Sequence, residues 1–344
     1  MKDYRIQIQL TSNLYTPLHG DTLFGMLCWM ILYSEGESVL TEFLTKSTAN
    51  PQLLVSSAFP KDELPMPVIA SQYKMDDTKV DTKYIKRLKK QKFISRELFI
   101  TNRDKFKMED IQEKLISEMK EVDNLNNQQS IIKAGTGKSS ETNKFLAHNS
   151  INRLTGMVAE EGGLFFSEIV ATPSYKMAEK EENTILDIYI SVTSEYDSII
   201  REAFTTLSTY GFGKDSSIGG GQFIFEDKDY KEEKELFANN DKYTYGVTLS
   251  PIVPAADDPM DINYQLFTRY GKIGHGSDIG IDPPNTPEAD KKRGFFKAPI
   301  LMFQAGAVVK GASKNYVGYL LDKLHKDERV KHCGYSRLLG LNIV

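Results

Sequence analysis

Residues Tyr4–Leu10 alternate, with apolar Tyr4, Ile6, Ile8 and Leu10 set against polar Arg5, Gln7 and Gln9. A period of two predicts a strand with one buried face. Asp21 stands where a helix N-cap belongs, and the mostly apolar Thr22–Tyr33 beyond it predicts a helix. Strand-like runs return at Leu164–Ala171 and Ile185–Val192. Glu195–Thr209 then places Ile199, Ile200, Ala203, Phe204 and Leu207 on one face of an amphipathic helix. A glycine-rich stretch, Gly211–Gly221, leads into a short strand at Gln222–Phe225. Taken in order this is β-α-(insertion)-β-β-α-β, the ferredoxin-like pattern, closing near residue 226.

Asp227–Glu235 is dense in charge and reads as a linker. Beyond it strands are predicted near Tyr243–Ser250, Gln265–Tyr270 and Pro299–Val309, with a helix at Tyr316–His325. That set fits a second, degenerate copy of the same unit. The predicted class is α+β: two ferredoxin-like (RRM-like) domains, 1–228 and 229–344, the first carrying a long insertion around 79–150. Asn124–Thr142 is polar and lacks a period, so it reads as a mobile loop or the tip of a protruding, thumb-like hairpin.

Composition narrows the class. With 344 residues, 40% of them hydrophobic and 26% charged, the chain has the balance of a globular protein of two ordinary domains. The longest apolar run, Leu23–Tyr33, contains Gly25 and falls short of a membrane span. No export signal is legible, so a cytoplasmic protein without membrane contact is expected. Cys28 and Cys333 are too few for a disulfide framework or a zinc knuckle, and neither a metal nor a cofactor is expected.

A net charge of −4 argues against a surface that is basic throughout. It leaves room for RNA held in a local groove by backbone amides, stacking and 2′-OH contacts. The charge is also uneven, since Lys79–Lys107 holds eleven Lys and Arg against three acids.

The sharpest motif is Gly211-Phe-Gly-Lys-Asp-Ser-Ser-Ile-Gly-Gly-Gly-Gln-Phe223. Gly211, Gly213, Gly219, Gly220 and Gly221 free the backbone for positive φ and for runs of exposed amides, which bind anionic oxygens. Lys214 adds a charge, and Ser216 and Ser217 add hydroxyls. The competing reading is a plain flexible connector. The loop runs from helix to strand, opposite to a dinucleotide fingerprint, and the sixth position of G-x-G-x-x-G is Ser216.

Ala134-Gly-Thr-Gly-Lys-Ser-Ser140 lacks the first glycine of a phosphate-binding loop, because Ile132 stands there. Lys138 remains available to a nucleic-acid backbone. His19 precedes a helix N-terminus, a place suited to an anion or to acid–base work, though a structural histidine fits equally. Lys86 and Lys89 belong to a basic stretch interleaved with Tyr84, Ile85, Leu88 and Phe93. That stretch is either a solvated helical face or an RNA track. Arg153 offers a bidentate grip on phosphate or an ion pair with Glu160 or Glu161. The pairs Asp76-Asp77 and Asp257-Asp258 lack metal-ligand spacing and read as solvated turns.

Four segments occur together and in order: Leu18-His-Gly-Asp-Thr-Leu-Phe-Gly25; Ser56-Ser-Ala-Phe-Pro60 with Leu64-Pro-Met-Pro67; Asn149-Ser-Ile-Asn-Arg-Leu-Thr155 with Glu161-Gly-Gly-Leu-Phe165; and Gly211–Phe223. In this they resemble the family of fourth subunits of type III-A CRISPR Csm complexes, within the RAMP superfamily. Phe303–Gly311 and Gly334–Val344, with Gly306 and Gly311, look like that family's C-terminal glycine segments.

The resemblance implies a non-catalytic subunit that grips the 5′ handle of the crRNA. It also implies docking on the large polymerase-cyclase subunit and on the first backbone RAMP subunit, close to target RNA. Carried onto this chain, Gly211–Gly221, His19 and Arg153 would meet the handle, and Lys79–Thr142 would supply the thumb. The alternative is a metal-independent RAMP endoribonuclease that cuts repeat RNA with His19 as acid or base.

Overall fold

A computed structural model describes residues 1–69, 81–130, 144–149, 151, 153–158, 163–177, 180–259, 261–273, 296–311 and 314–344. Asp76, Asp77 and Ala134–Ser140 with Lys138 lie outside the described residues, and of the loop expected at Asn124–Thr142 the described part, Asn124–Ser130, is helical instead. The helices are α1 (Gly20–Glu35), α2 (Glu37–Ala49), α3 (Thr82–Lys89), α4 (Arg96–Asn102), α5 (Met108–Ser130) and α6 (Asp197–Tyr210). The first strands are β1 (Lys2–Leu10), β2 (Leu53–Val55), β3 (Phe59–Pro60), β4 (Glu63–Pro65), β5 (Phe93–Ser95), β6 (Lys144–Asn149) and β7 (Leu164–Ile169). They continue through β8 (Ser174–Met177), β9 (Lys180–Asn183), β10 (Ile185–Val192), β11 (Phe223–Ile224) and β12 (Tyr230–Glu232). The remainder holds β13 (Tyr245–Thr248), β14 (Ile262–Asn263), β15 (Leu266–Arg269), β16 (Ile300–Phe303) and β17 (Val308–Lys310). Four more follow: β18 (Tyr316–Val317), β19 (Leu320–Leu321), β20 (His332–Cys333) and β21 (Ser336–Leu341).

The first sheet runs β11-β1-β10-β2, with β12 also on β1 and β3 also on β10. The alternation of β1 sends Tyr4, Ile6, Ile8 and Leu10 to one side, where Leu27 and Ile31 of α1 and Phe204 and Leu207 of α6 complete a core. Full burial of each such side chain contributes about 1.5–3 kcal/mol. The strand opposite, β10, is buried on both faces: Ile188 and Ile190 join that core, while Tyr189 joins a second one. Between these faces sits Asp187, fully buried, accepting from Arg5 Nη2 at 2.5 Å, Gln7 Nε2 at 3.0 Å and the Asp62 amide at 2.7 Å. Arg5 and Gln7, two polar positions of β1, are therefore partners of this carboxylate.

The second sheet runs β14-β17-β13-β21-β18. Its covering layer comes from the first half of the chain. Leu98 and Phe99 of α4, Phe106, and Ile111 and Leu115 of α5 pack with Val247, Leu249, Val308, Leu339 and Leu341. Within the expected thumb insertion, residues 98–115 are thus core structure, because α4 and the start of α5 carry the apolar side chains that the second sheet needs.

Three further expectations are corrected. Asp227–Glu235 is no linker: β12 pairs with β1, and buried Glu233 accepts from Arg96 Nη2 at 3.1 Å and from the Leu236 amide at 3.0 Å. Tyr316–His325 is not a helix but β18 and β19, which pair with β21 and β20. Gly318 between them has φ +89, and its amide donates to Asp258 Oδ2 at 2.7 Å. Asp258, also accepting from the Ala255 amide at 2.7 Å, is therefore a buried turn-former rather than a solvated residue.

Candidate nucleic-acid interface

The α6 helix ends where Gly211, at φ +78, turns the chain out of it. The loop that follows is closed on itself and on the segment after β1. Phe212 N donates to Gly221 O at 2.9 Å, Gly220 N to Asp215 O at 2.8 Å and Gly219 N to Ser216 O at 3.1 Å. Gly221 N donates to Asn13 O at 2.9 Å, Gln222 N to Ser12 Oγ at 2.7 Å and Lys214 N to Thr16 Oγ1 at 2.9 Å. Glycine is required at 221, where φ is +64 and a Cβ would lie 1.9 Å from Phe212 O.

Gly211, Gly220 and Gly221 are buried, so they shape the loop rather than face solvent. The amides of Gly213, Asp215, Ser216 and Ser217 have no acceptor among the described residues. Gly213 has φ +78 and Asp215 is left-handed at φ +63, and left-handed residues within a turn are the setting in which backbone N–H groups form anion-binding nests. Exposed Ser217 and half-buried Ser216 stand on the same turn. Chemically this is a small anion cradle of amides and hydroxyls.

Lys214 Nζ does not hang free; it donates to Ser167 Oγ of β7 at 2.7 Å. The β7 strand pairs with β6, and Leu14 bridges to Ala171 just beyond it, so loop, segment 12–16 and hairpin base form one unit. The hairpin is strongly apolar and yet exposed, with Phe145 57%, Phe166 61% and Leu154 96% accessible. His148 and Phe165 stack across it, ring centroids 4.9 Å apart and nearly parallel. Arg153 is exposed within the turn that joins its strands. Sequence reasoning did not single out these rings; the run Leu164-Phe-Phe166 is the signal, since three consecutive exposed apolar residues are costly without a partner.

The remaining candidates are dispersed. His19 is the N-cap of α1, in place of the expected Asp21; its ring lies 5.9 Å from that of Phe267. Burial lowers the pKa of its imidazole, helped by Arg269 and Lys92 and opposed by Asp21. The Gly20 amide is already taken by Ser57 Oγ at 3.2 Å, so the helix end is walled by protein. Gly306 is buried against the chain at Met66, whose carbonyl oxygen lies 2.5 Å from where a Cβ would sit. Gly311 is exposed with open space around it. Lys86 and Lys89 are exposed on α3.

No sequence-family profile matches the chain, and no curated protein matches it in sequence. Solved structures do. A Csm1–Csm4 cassette in complex with cA4 matches with a TM-score of 0.54 at 16% identity, covering 99% of both chains. A Csm1–Csm4 cassette with pppApA gives 0.53 at 17%, again over 99% of both. A Csm3–Csm4 subcomplex of the type III-A CRISPR-Cas interference complex gives 0.51 at 18%, over 99% of this chain and 100% of that one. The fold is Csm4-like.

In this Csm4-like fold the glycine loop leaves α6 at the β11 end of the first sheet, beside the segment that continues β1. Among the described residues no group of His, Cys, Asp and Glu could hold a metal ion. No described helix is long and apolar enough to cross a membrane.

Proposed function

We propose that the chain is a non-catalytic RNA-holding subunit of a type III-A CRISPR ribonucleoprotein, gripping the 5′ handle of the crRNA in antiviral defence. The observation that carries this reading is the end-to-end match to Csm4-like structures solved with Csm1 and with Csm3. By the same likeness, the partners are the large polymerase-cyclase subunit and the first backbone subunit. The anion cradle at Gly213–Ser217 supplies the chemistry, because amides and hydroxyls grip phosphate oxygens on a chain whose net charge is −4. Lys214, held by Ser167, places one fixed positive charge at its mouth. The exposed β6–β7 hairpin takes the role of the thumb beside the guide–target duplex, and each half of the chain is an RRM-like unit.

The test is reconstitution of the complex around a Lys214→Ala/Ser216→Ala chain, with footprinting of the crRNA. Loss of protection confined to the handle is expected. Full protection sinks the reading, as does sustained cleavage of repeat RNA by the pure chain in EDTA that His19→Ala abolishes.

A further inference from the structure

The basic face of α3 is not explained by packing. Tyr84 and Leu88 lean half-buried on α5, and Lys83 Nζ and Arg87 Nη1 reach the two oxygens of Asp123 at 2.6 and 3.0 Å. Lys86, Lys89 and Lys90 are exposed and have no ion-pair partner among the described residues. They occupy helical neighbours three and four apart, where like charges repel. No ion pair among the described residues holds these three ammonium groups, which leaves them open to an external anion.

Between α3 and α5 lies an open cleft of about 340 Å³. Its floor is Leu115, Met119 and Val122, and Arg87, Lys90, Gln91 and Glu118 rim it. Val122 is 44% exposed, so the floor is accessible. Arg87 is tied to Asp123 through Nη1 at 3.0 Å, which keeps its guanidinium at the cleft. Apolar floor, planar cation, one carboxylate acceptor and one amide together match a nucleobase with an exocyclic amine: the ring covers the floor, and the amine donates to Glu118. Phosphates on either side then fall to Lys86, Lys89 and Lys90.

We propose that the α3–α5 face is a second single-stranded RNA surface, seating one unpaired base in the cleft with its flanking phosphates on these three lysines. It is independent of the handle-gripping reading, because it shares no residue with the glycine loop.

Fluorescence anisotropy of the full chain with labelled oligoadenylate, and with an abasic oligomer of equal length, tests it. Lys86→Ala/Lys89→Ala/Lys90→Ala should weaken binding about tenfold or more and lower the slope of log affinity against log salt by about 2. Val122→Glu should erase the preference for oligoadenylate over the abasic strand. Lys214→Ala/Ser216→Ala should weaken oligoadenylate and abasic binding alike and leave their ratio in place, and handle footprints of the complex assembled with the lysine variant should stay intact, which separates failure here from failure of the handle reading. Circular dichroism melts confirm that each variant folds. Unchanged affinity and slope in the lysine variant overturn the proposal. So does a Val122→Glu chain that keeps the preference, or a lysine variant that binds RNA normally but fails to assemble with a protein subunit.

Discussion

Lys214 Nζ donates to Ser167 Oγ at 2.7 Å, tying the glycine loop to the second strand of the exposed hairpin through one hydroxyl that is itself 3% exposed. Ser167→Ala removes the acceptor and leaves almost the same volume. The expected result is faster amide exchange across β6 and β7, with a stability loss of about 1 kcal/mol. Hydrogen-exchange mass spectrometry measures it. Unchanged exchange would mean that the Leu14–Ala171 bridge alone holds the hairpin.

Asp21 is a buried carboxylate gripped by Arg269, Nε to Oδ2 at 2.7 Å and Nη2 to Oδ1 at 3.2 Å. The half-buried amine of Lys297 and the buried ring of His332 are close by, the latter at 3.4 Å. Asp21→Asn removes the only negative charge that these groups share among the described residues. A loss of about 1.5–3 kcal/mol is expected, that of hydrogen bonds to a charged group, since Arg269 and Lys297 are half-buried. Urea denaturation of Asp21→Asn beside Arg269→Ala gives the measurement, and a loss well under 1 kcal/mol would refute the assignment.

Burial lowers the pKa of His332 to about 4, with Lys297 and Arg269 adding to the shift and Asp21 opposing it. The folded pKa lies below the unfolded value near 6.5, so the unfolded chain binds the extra proton first. Stability is therefore full above about pH 6.5 and falls as pH drops from there toward 4. His332→Gln should flatten that slope, read from denaturation midpoints across the window. A parallel slope in the variant would place the titration elsewhere.

Gly221→Ala and Gly219→Ala separate two kinds of glycine. At 221 a Cβ meets the Phe212 backbone at 1.9 Å, so the loop must open and handle protection should be lost with it. At 219 φ is +91 but the space is empty, so the cost is only the left-handed penalty of about 1–2 kcal/mol. Handle footprints of the two reconstituted complexes check the contrast; equal effects would mean that close packing at 221 does not shape the cradle.

The parts legible in the sequence were those whose order is local. The alternation of Tyr4–Leu10 and the helical spacing of Ile200, Ala203, Phe204 and Leu207 declare their faces without reference to distant residues. Tyr316, Val317, Leu320 and Leu321 fit a helical spacing equally well; only pairing with β20 and β21, and the left-handed Gly318, make them strands. Glu233 is charged and reads as solvated until Arg96, far away in sequence, closes on it. The glycine loop was visible, but which of its amides stay free depends on Ser12, Asn13 and Thr16 across the sheet end. Gly306 carried the same ambiguity, since its neighbour Met66 belongs to the other half of the chain.

Because α4 and α5 are the lid of a sheet encoded far downstream, the boundary at 228 is not a place where the polypeptide can be cut. During translation those helices emerge with their greasy sides bare, and they stay so until β21 slots between β13 and β18. A fragment ending at 228 should therefore precipitate or recruit chaperones, and grafting either half onto a relative would require carrying the helices along with the strands they roof.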